Sequence, residues 1–261
     1  MKTVRVVVVG GFLSYRALFQ WLRPSLFVPT MLVTPVFQVL FFVYVGRFAG
    51  VADDRFYVVG NAVLGSAVAG LYGPMLAMSE ERAAGALGAV LASPAGRIPI
   101  FVGRMLPYAI NGLLVSCFTL GFAAALLGPG LPADRLPALL APLVVAAFAC
   151  AGLGLALGSL ALISRDVPFL SNLVNAVMLL VCGANVAVPD LPWPLRAAGS
   201  VLPLTHGVQA AQRLADGASV GSVGWLLCTE LGIGAGYVTL AVLLLARVER
   251  MARRAGTLDL R

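Results

Sequence analysis

The chain has 261 residues, of which 60% are hydrophobic and 11% charged, against roughly 25% charged in soluble domains. A water-soluble fold of this length cannot hide so much apolar surface, so the composition excludes a soluble globular domain and makes the bilayer the natural solvent. No polar stretch is long enough for a separate soluble unit, and the net charge of +7 has to be explained within one membrane domain covering residues 1–261.

The N-terminal "MKTVRVVVVGGF" carries two cations and a short apolar run without a small-residue cleavage site, so it is kept as part of the mature chain. The next stretch, "SYRALFQWLR" at 14–23, places Arg16, Gln20 and Arg23 on one helical face and Tyr15, Leu18, Phe19 and Leu22 on the other, and Trp21 belongs to the same interfacial stretch. Pro24 ends it. This pattern predicts a helix lying in the membrane interface; the alternative is a plain extension of the first span.

Six stretches then meet the roughly 20 apolar residues that a spanning helix needs. They are 27–46, 57–78, 101–127, 138–163, 169–188 and 225–246. Because lipid offers no hydrogen bonds, each is expected to be helical, which makes the fold class all-α and polytopic. Glu230 sits in the sixth span. An acid at mid-span costs roughly 2.5–3.5 kcal/mol, and Leu, Ile and Val each return about 0.3–0.6 kcal/mol. With ten such residues in the span, insertion still wins, and Glu230 is expected near the span end, where the cost is smaller.

Alternating the six spans puts Arg47, Arg55, Arg135, Arg196 and Arg213 on one side and the other thirteen Lys and Arg on the opposite side with both termini. The positive-inside rule assigns the richer side to the cytoplasm. The net charge is therefore a topology signal, with a basic C-terminal cluster "RVERMARR" suited to anionic headgroups, and not a nucleic-acid footprint. Small residues recur at four-residue spacing: Gly65, Ala69 and Gly73; Gly154 and Gly158; Gly232 and Gly236. Such rows let helices approach closely, either inside the chain or at a dimer contact or translocation surface. Cys117, Cys150, Cys182 and Cys228 all lie in apolar runs without metal-ligand spacing, which predicts buried thiols and no metal site.

Two further segments are not spans. "SEERAAGALGAVLASPAGR" at 79–97 falls between the second and third spans. Ser79 is placed to cap a helix whose first turn carries Glu80 and Glu81. Leu87, Val90 and Leu91 form a short apolar stripe, and Pro94 stops the helix after Ser93. The residues alone allow either a stiff surface helix over 80–92, able to pass on a push from a soluble partner, or an ordinary solvated loop. The outer segment 189–224 is too long for a turn and too apolar for a free loop. "LPWPLRAAGSVLP" and "LTHGVQAAQRLADG" predict two short helices, the second capped by Thr205, broken by Pro192, Pro194 and Pro203, and folding back into the outer leaflet as a re-entrant pair. Irregular backbone at that depth is tolerated where protein buries it. His206 is the chain's only histidine and is read as a packed residue, not a ligand.

Over nearly its whole length the chain resembles the permease subunits of type-2 ATP-binding-cassette exporters, the daunorubicin-resistance-like and nodulation-type lipo-oligosaccharide permeases. The carriers are the helix before the first span, "MSEERAAGALGAVLASPAGRIPIFVGRMLP", and "LPLTHGVQAAQRL" with Pro203, His206 and Arg213. In the family the middle segment holds an acidic pair, Gly, a Leu-rich turn, Ser/Thr-Pro, a basic residue and Gly-Lys/Arg. Here these positions are Glu80, Glu81, Gly85, Leu87, Leu91, Ser93, Pro94, Arg97, Gly103 and Arg104. The chain departs from the family's Thr-Leu-Glu in having Ala86–Leu87–Gly88. The resemblance implies that this segment is the coupling helix docking on an ATPase.

No GxxxxGK[ST] stretch occurs, so this chain does not hydrolyse ATP in the P-loop way and carries no cofactor of its own. The resemblance implies two ATPase subunits that hold ATP and magnesium, a second permease copy (identical or not), and export of an amphiphile such as a drug, lipid or glycolipid through a path lined by the first, second and fifth spans. The Ala/Gly/Arg-rich, Lys-poor composition fits a GC-rich bacterium, hence a multi-pass protein of the bacterial inner membrane. Three other readings compete, and the first, a membrane-embedded enzyme, would need a cluster of His, Asp or Glu that the sequence does not offer. An import permease finds a faint echo of its EAA…G…LP loop in Glu81–Ala84 and Pro99, but four spans follow here where that loop precedes two. An ion-coupled carrier needs ionisable groups inside the spans, and Glu230 is the single candidate.

Overall fold

A computed structural model describes residues 28–50, 53–83, 97–128, 130–162, 164 and 166–255. Every regular element among them is helical. A π-helical turn, Val28–Val33, leads into α1 (Thr34–Ala49). There follow α2 (Asp54–Ala83), α3 (Arg97–Leu127), α4 (Leu136–Ala161), α5 (Val167–Val181), α6 (Trp193–Val201), α7 (Thr205–Ala215) and α8 (Val220–Ala255).

Among the described residues five stretches are long and apolar enough to cross a bilayer: Met31–Ala49, Asp54–Ser79, Met105–Leu127, Leu136–Ala161 and Val220–Val248. The fifth expected span, 169–188, is cut short. Its helix, α5, has 15 residues, about 22 Å at 1.5 Å per residue, less than the roughly 30 Å of hydrocarbon. The helix stops because Gly183 turns to a φ of 86°. The Asn185 side chain then donates back to the Leu179 carbonyl at 3.2 Å, and the chain continues as bends through Val186. Its backbone is met by protein: Gln212 on α7 donates to the Gly183 carbonyl at 3.0 Å. The expected six full spans therefore become five long helices and one short one.

α2 and α4 form the centre, each with 67% of its apolar window buried. Their contact is made by glycine. Pro74 inside α2 has no N–H to give the Gly70 carbonyl four residues back. That freed oxygen lies against the spot where a Cβ on Gly154 would be, with the Leu71 oxygen 2.7 Å from the same spot. One turn on, a Cβ on Gly158 would meet the Pro74 oxygen at 3.0 Å. Across α4, Gly152 faces the backbone of Gly234 on α8. These glycines pack helices within the chain. By contrast a Cβ added to Gly232 or Gly236 would meet no neighbouring helix within 4 Å, so the small-residue row expected on the last span splits, and Gly234 makes the contact.

The connections α1–α2, α3–α4 and α7–α8 gather at one end. Arg47 at the close of α1 donates to Asp54 at the start of α2, with Nε 2.9 and 3.1 Å from the two carboxylate oxygens. Arg55 donates to the Gly130 carbonyl at 3.1 Å and lies 4.0 Å from Asp216, while Arg135 borders Gly217. Both partners of the Arg47–Asp54 clasp also suit the helix ends they occupy.

Candidate functional site

Two polar constructions stand out in the apolar bundle. The first is a cleft between α1, α2 and α5, lined among others by Thr34, Gln38, Asn61, Gly65, Asn175 and Leu179. A hydrogen-bonded chain crosses it. Gln38 on α1 donates to the Asn61 Oδ1 at 3.0 Å; Asn61 Nδ2 donates to the Tyr57 carbonyl at 3.0 Å and to Asn185 Oδ1 at 2.8 Å. Asn61 is buried, and each of its amide atoms has a partner, which is the condition for an amide at this depth. A close approach makes it possible: a Cβ on Gly60 would sit 2.8 Å from the Ala184 backbone, so glycine lets the bent segment reach Asn61. Lower on the same face the Tyr72 hydroxyl bonds Asn172 Oδ1 at 2.7 Å.

The second construction is Glu230. It lies on the inward seam of α8 with Val223, Leu226, Gly234, Ala241 and Leu245, all buried. Its exposure is 0%. One carboxyl oxygen accepts the Leu204 N–H at 2.6 Å, and the other accepts those of His206 at 3.1 Å and Gly207 at 3.2 Å. These are the opening N–H groups of α7, which have no intrahelical acceptor. Thr205, expected to be the cap, is instead the first residue of α7, and its hydroxyl donates to the Gly199 carbonyl at 2.7 Å. The cap therefore comes from a residue 23 to 26 positions away in sequence. Nor does Glu230 lie near a helix end. α8 starts at Val220, ten residues earlier, or about 15 Å of rise. Hydrogen bonding, not shallow depth, makes the acid tolerable.

The comparisons with known proteins agree with this architecture. The family model described as ABC-2 family transporter protein matches residues 54–243, well over half of the chain. The chain belongs to the ABC-2 transporter family. No curated protein matches it closely enough to add a named relative. As an ABC-2 protein it is a multi-pass membrane component of a transporter, a class that works with an ABC ATPase.

The residues expected to form a coupling segment lie as follows in this ABC-2 permease. Glu80 and Glu81 lie in the last turns of α2, which runs unbroken through Ser79 to Ala83. Ser79 is thus a helix-interior residue and not the start of a new helix. The reason is local: no Gly or Pro stands between Pro74 and Gly85, so nothing interrupts the helix at Ser79. Arg97 opens α3, and Gly103 and Arg104 lie within it. Gly85, Leu87, Leu91, Ser93 and Pro94 fall outside the described residues, as do Arg16, Trp21 and Arg23 of the N-terminal segment.

The two short helices expected in 189–224 occupy those stretches as α6 and α7. Pro203 is buried between them, and Arg213 stands exposed with its guanidinium 5.9 Å from the Trp225 ring centroid. His206 Nδ1 has no hydrogen-bond partner and lies 3.9 Å from Glu230, too far for a hydrogen bond. Among the described residues no His, Cys, Asp and Glu cluster suits a metal.

Proposed function

We propose that this ABC-2 permease is the membrane subunit of an exporter of the daunorubicin-resistance-like or nodulation-type kind, moving a drug, lipid or glycolipid out of the cytoplasm. A separate ATPase, present in two copies, powers it and grips the segment 79–97. Two permease copies make the path, and α6 and α7 dip into the outer leaflet at its mouth. The observation that carries the reading is the cleft at α1, α2 and α5, where Thr34, Gln38, Asn61 and Asn175 stand among Leu64, Val68 and Leu179, and Asn61 joins Gln38 to Asn185 in one hydrogen-bonded row. Such a surface suits a molecule with both an apolar body and hydrogen-bonding groups.

Charge supports the orientation. The end that gathers Arg47, Arg55, Arg135, Arg196 and Arg213 also holds Asp53, Asp54, Asp134, Asp190 and Asp216. In the sequence, the other thirteen Lys and Arg fall in the alternate segments with Glu80, Glu81, Asp166, Glu249 and Asp259. That surplus supports a cytoplasmic placement of both termini, in a bacterial inner membrane.

The test is ATPase activity of the reconstituted permease–ATPase complex against a panel of drugs and lipids. Stimulation by amphiphiles, reduced by Asn61→Ala, is the expected result. Loss of co-purified ATPase in Glu81→Arg, and its retention in His206→Ala, checks the coupling segment. Labelling of an Ala86→Cys chain by an impermeant thiol reagent on intact cells would invert the topology and end the export reading.

A further inference from the structure

The structure contains a stiff member and a fastening that the transport reading leaves unused. α2, α3 and α4 each carry an internal proline, at Pro74, Pro107 and Pro142. α8 carries none in its 36 residues, so it is a continuous rod of about 54 Å, long enough to pass right through a bilayer. Its start is joined to α7 by the short turn Asp216–Ser219. Its eleventh residue, Glu230, takes hold of the far end of α7 through the Leu204, His206 and Gly207 N–H groups. α7 is therefore attached to the rod at both ends.

The attachment is specific in its geometry. Leu204 has a φ of 84°, the one positive value outside glycine among the described residues, and that conformation aims its N–H at the carboxyl. A Cβ on Gly207 would lie 3.2 Å from Ala146 on α4 and 3.8 Å from the Glu230 carboxyl carbon, so α7 has been drawn in tightly. Backbone donors at this depth have no water to fall back on. Holding a left-handed leucine takes a strong local constraint, and the two carboxyl oxygens supply it. From α6, Val201 is tied to the same rod, its carbonyl accepting the Tyr237 hydroxyl at 3.0 Å.

We propose that Glu230 is a positioning residue that makes α8 and the outer helical pair move as one body, so that a displacement of α8 at the ATPase side arrives at the outer mouth. Glu230 touches no cargo; it acts through α7. This inference rests on the exporter reading, and its test has one arm that does not.

In the first arm the permease alone, in lipid nanodiscs, is compared with Glu230→Gln by hydrogen exchange. The amides of 204–208 are expected to exchange at least tenfold faster in the variant, while those of the α2–α4 core keep their rates. Unchanged protection of 204–208 overturns the fastening. In the second arm Arg213→Cys, in a chain with Cys228→Ser, is labelled from outside with an impermeant maleimide. The permease is in complex with its ATPase, with and without ATP and vanadate. The labelling rate should depend on nucleotide with Glu230 and lose that dependence in Glu230→Gln, although ATP is still hydrolysed. A nucleotide-dependent rate that survives in Glu230→Gln overturns the proposal. A native chain that engages no ATPase overturns the exporter reading, and the exchange arm then still decides whether Glu230 holds α7. Should Glu230→Gln fail to fold, Glu230→Asp, which draws the carboxyl back by one methylene, carries both readouts.

Discussion

Gly154 gives the sharpest test of how the bundle is held together. Replacing it by alanine puts a methyl group onto the freed Gly70 carbonyl, 2.7 Å from the Leu71 oxygen and 3.1 Å from the Leu71 carbonyl carbon. All three are backbone atoms of α2, so no side chain can swing aside. The seam has to open by about 0.5–1 Å, and a gap of that size forfeits a quarter to a half of each dispersion contact along it. Overpacking of this kind costs about 1–3 kcal/mol, and the gain in helix propensity, at most about 1 kcal/mol, does not cancel it. A net loss of about 1–2 kcal/mol is therefore expected for Gly154→Ala, and more for Gly154→Val. Gly232→Ala is the matched control, because nothing lies within 4 Å of its added methyl; it should be neutral or slightly stabilising. Reversible unfolding in mixed micelles, followed by tryptophan fluorescence, measures both. The reasoning is refuted if Gly154→Ala is as stable as the native chain, or if Gly232→Ala is the more damaging change.

Three further outcomes follow from the same geometry. Asn61→Ala leaves Gln38 and Asn185 without their shared partner and should cost about 1–2 kcal/mol. A double-mutant cycle with Gln38→Ala should show non-additivity of at least about 0.5 kcal/mol, and strict additivity would mean that the row is not one network. Gly183→Ala places a Cβ at a φ of 86° and 2.8 Å from a Val188 methyl, for a loss of about 1–3 kcal/mol, measured by the same unfolding assay. In inverted vesicles carrying the complex, collapse of the proton gradient by an uncoupler should leave cargo movement unchanged and removal of ATP should stop it. The opposite result would reinstate Glu230 as an ion-coupling acid.

How much of this was legible depends on which physical signal each element carries. The long helices announced themselves through length and hydropathy, because lipid forces every backbone group of a span into its own helix. α6 and α7 announced themselves through prolines and the Asp216–Gly217 stop. The break after Val181 was hidden because Cys182, Gly183 and Ala184 are apolar or small, so hydropathy runs on through a point where the backbone turns. Only Gly183 and Asn185 hinted at it, and their meaning depends on Asn61 and Gln212, far away in sequence. The place of Ser79 was hidden for a complementary reason: a serine before two acids is a cap only if something ends the preceding helix, and that helix runs on through Ala83. Glu230 was visible as an acid in a span, and its inward aim was legible too. On a helical wheel it continues the line of Val223, Leu226, Gly234 and Ala241, and an acid on an inward seam needs a donor close at hand. What the sequence could not name is the donor. Backbone N–H groups carry no residue-type signature, so a carboxyl capping a helix 23 residues away looks, in one dimension, like an ion site.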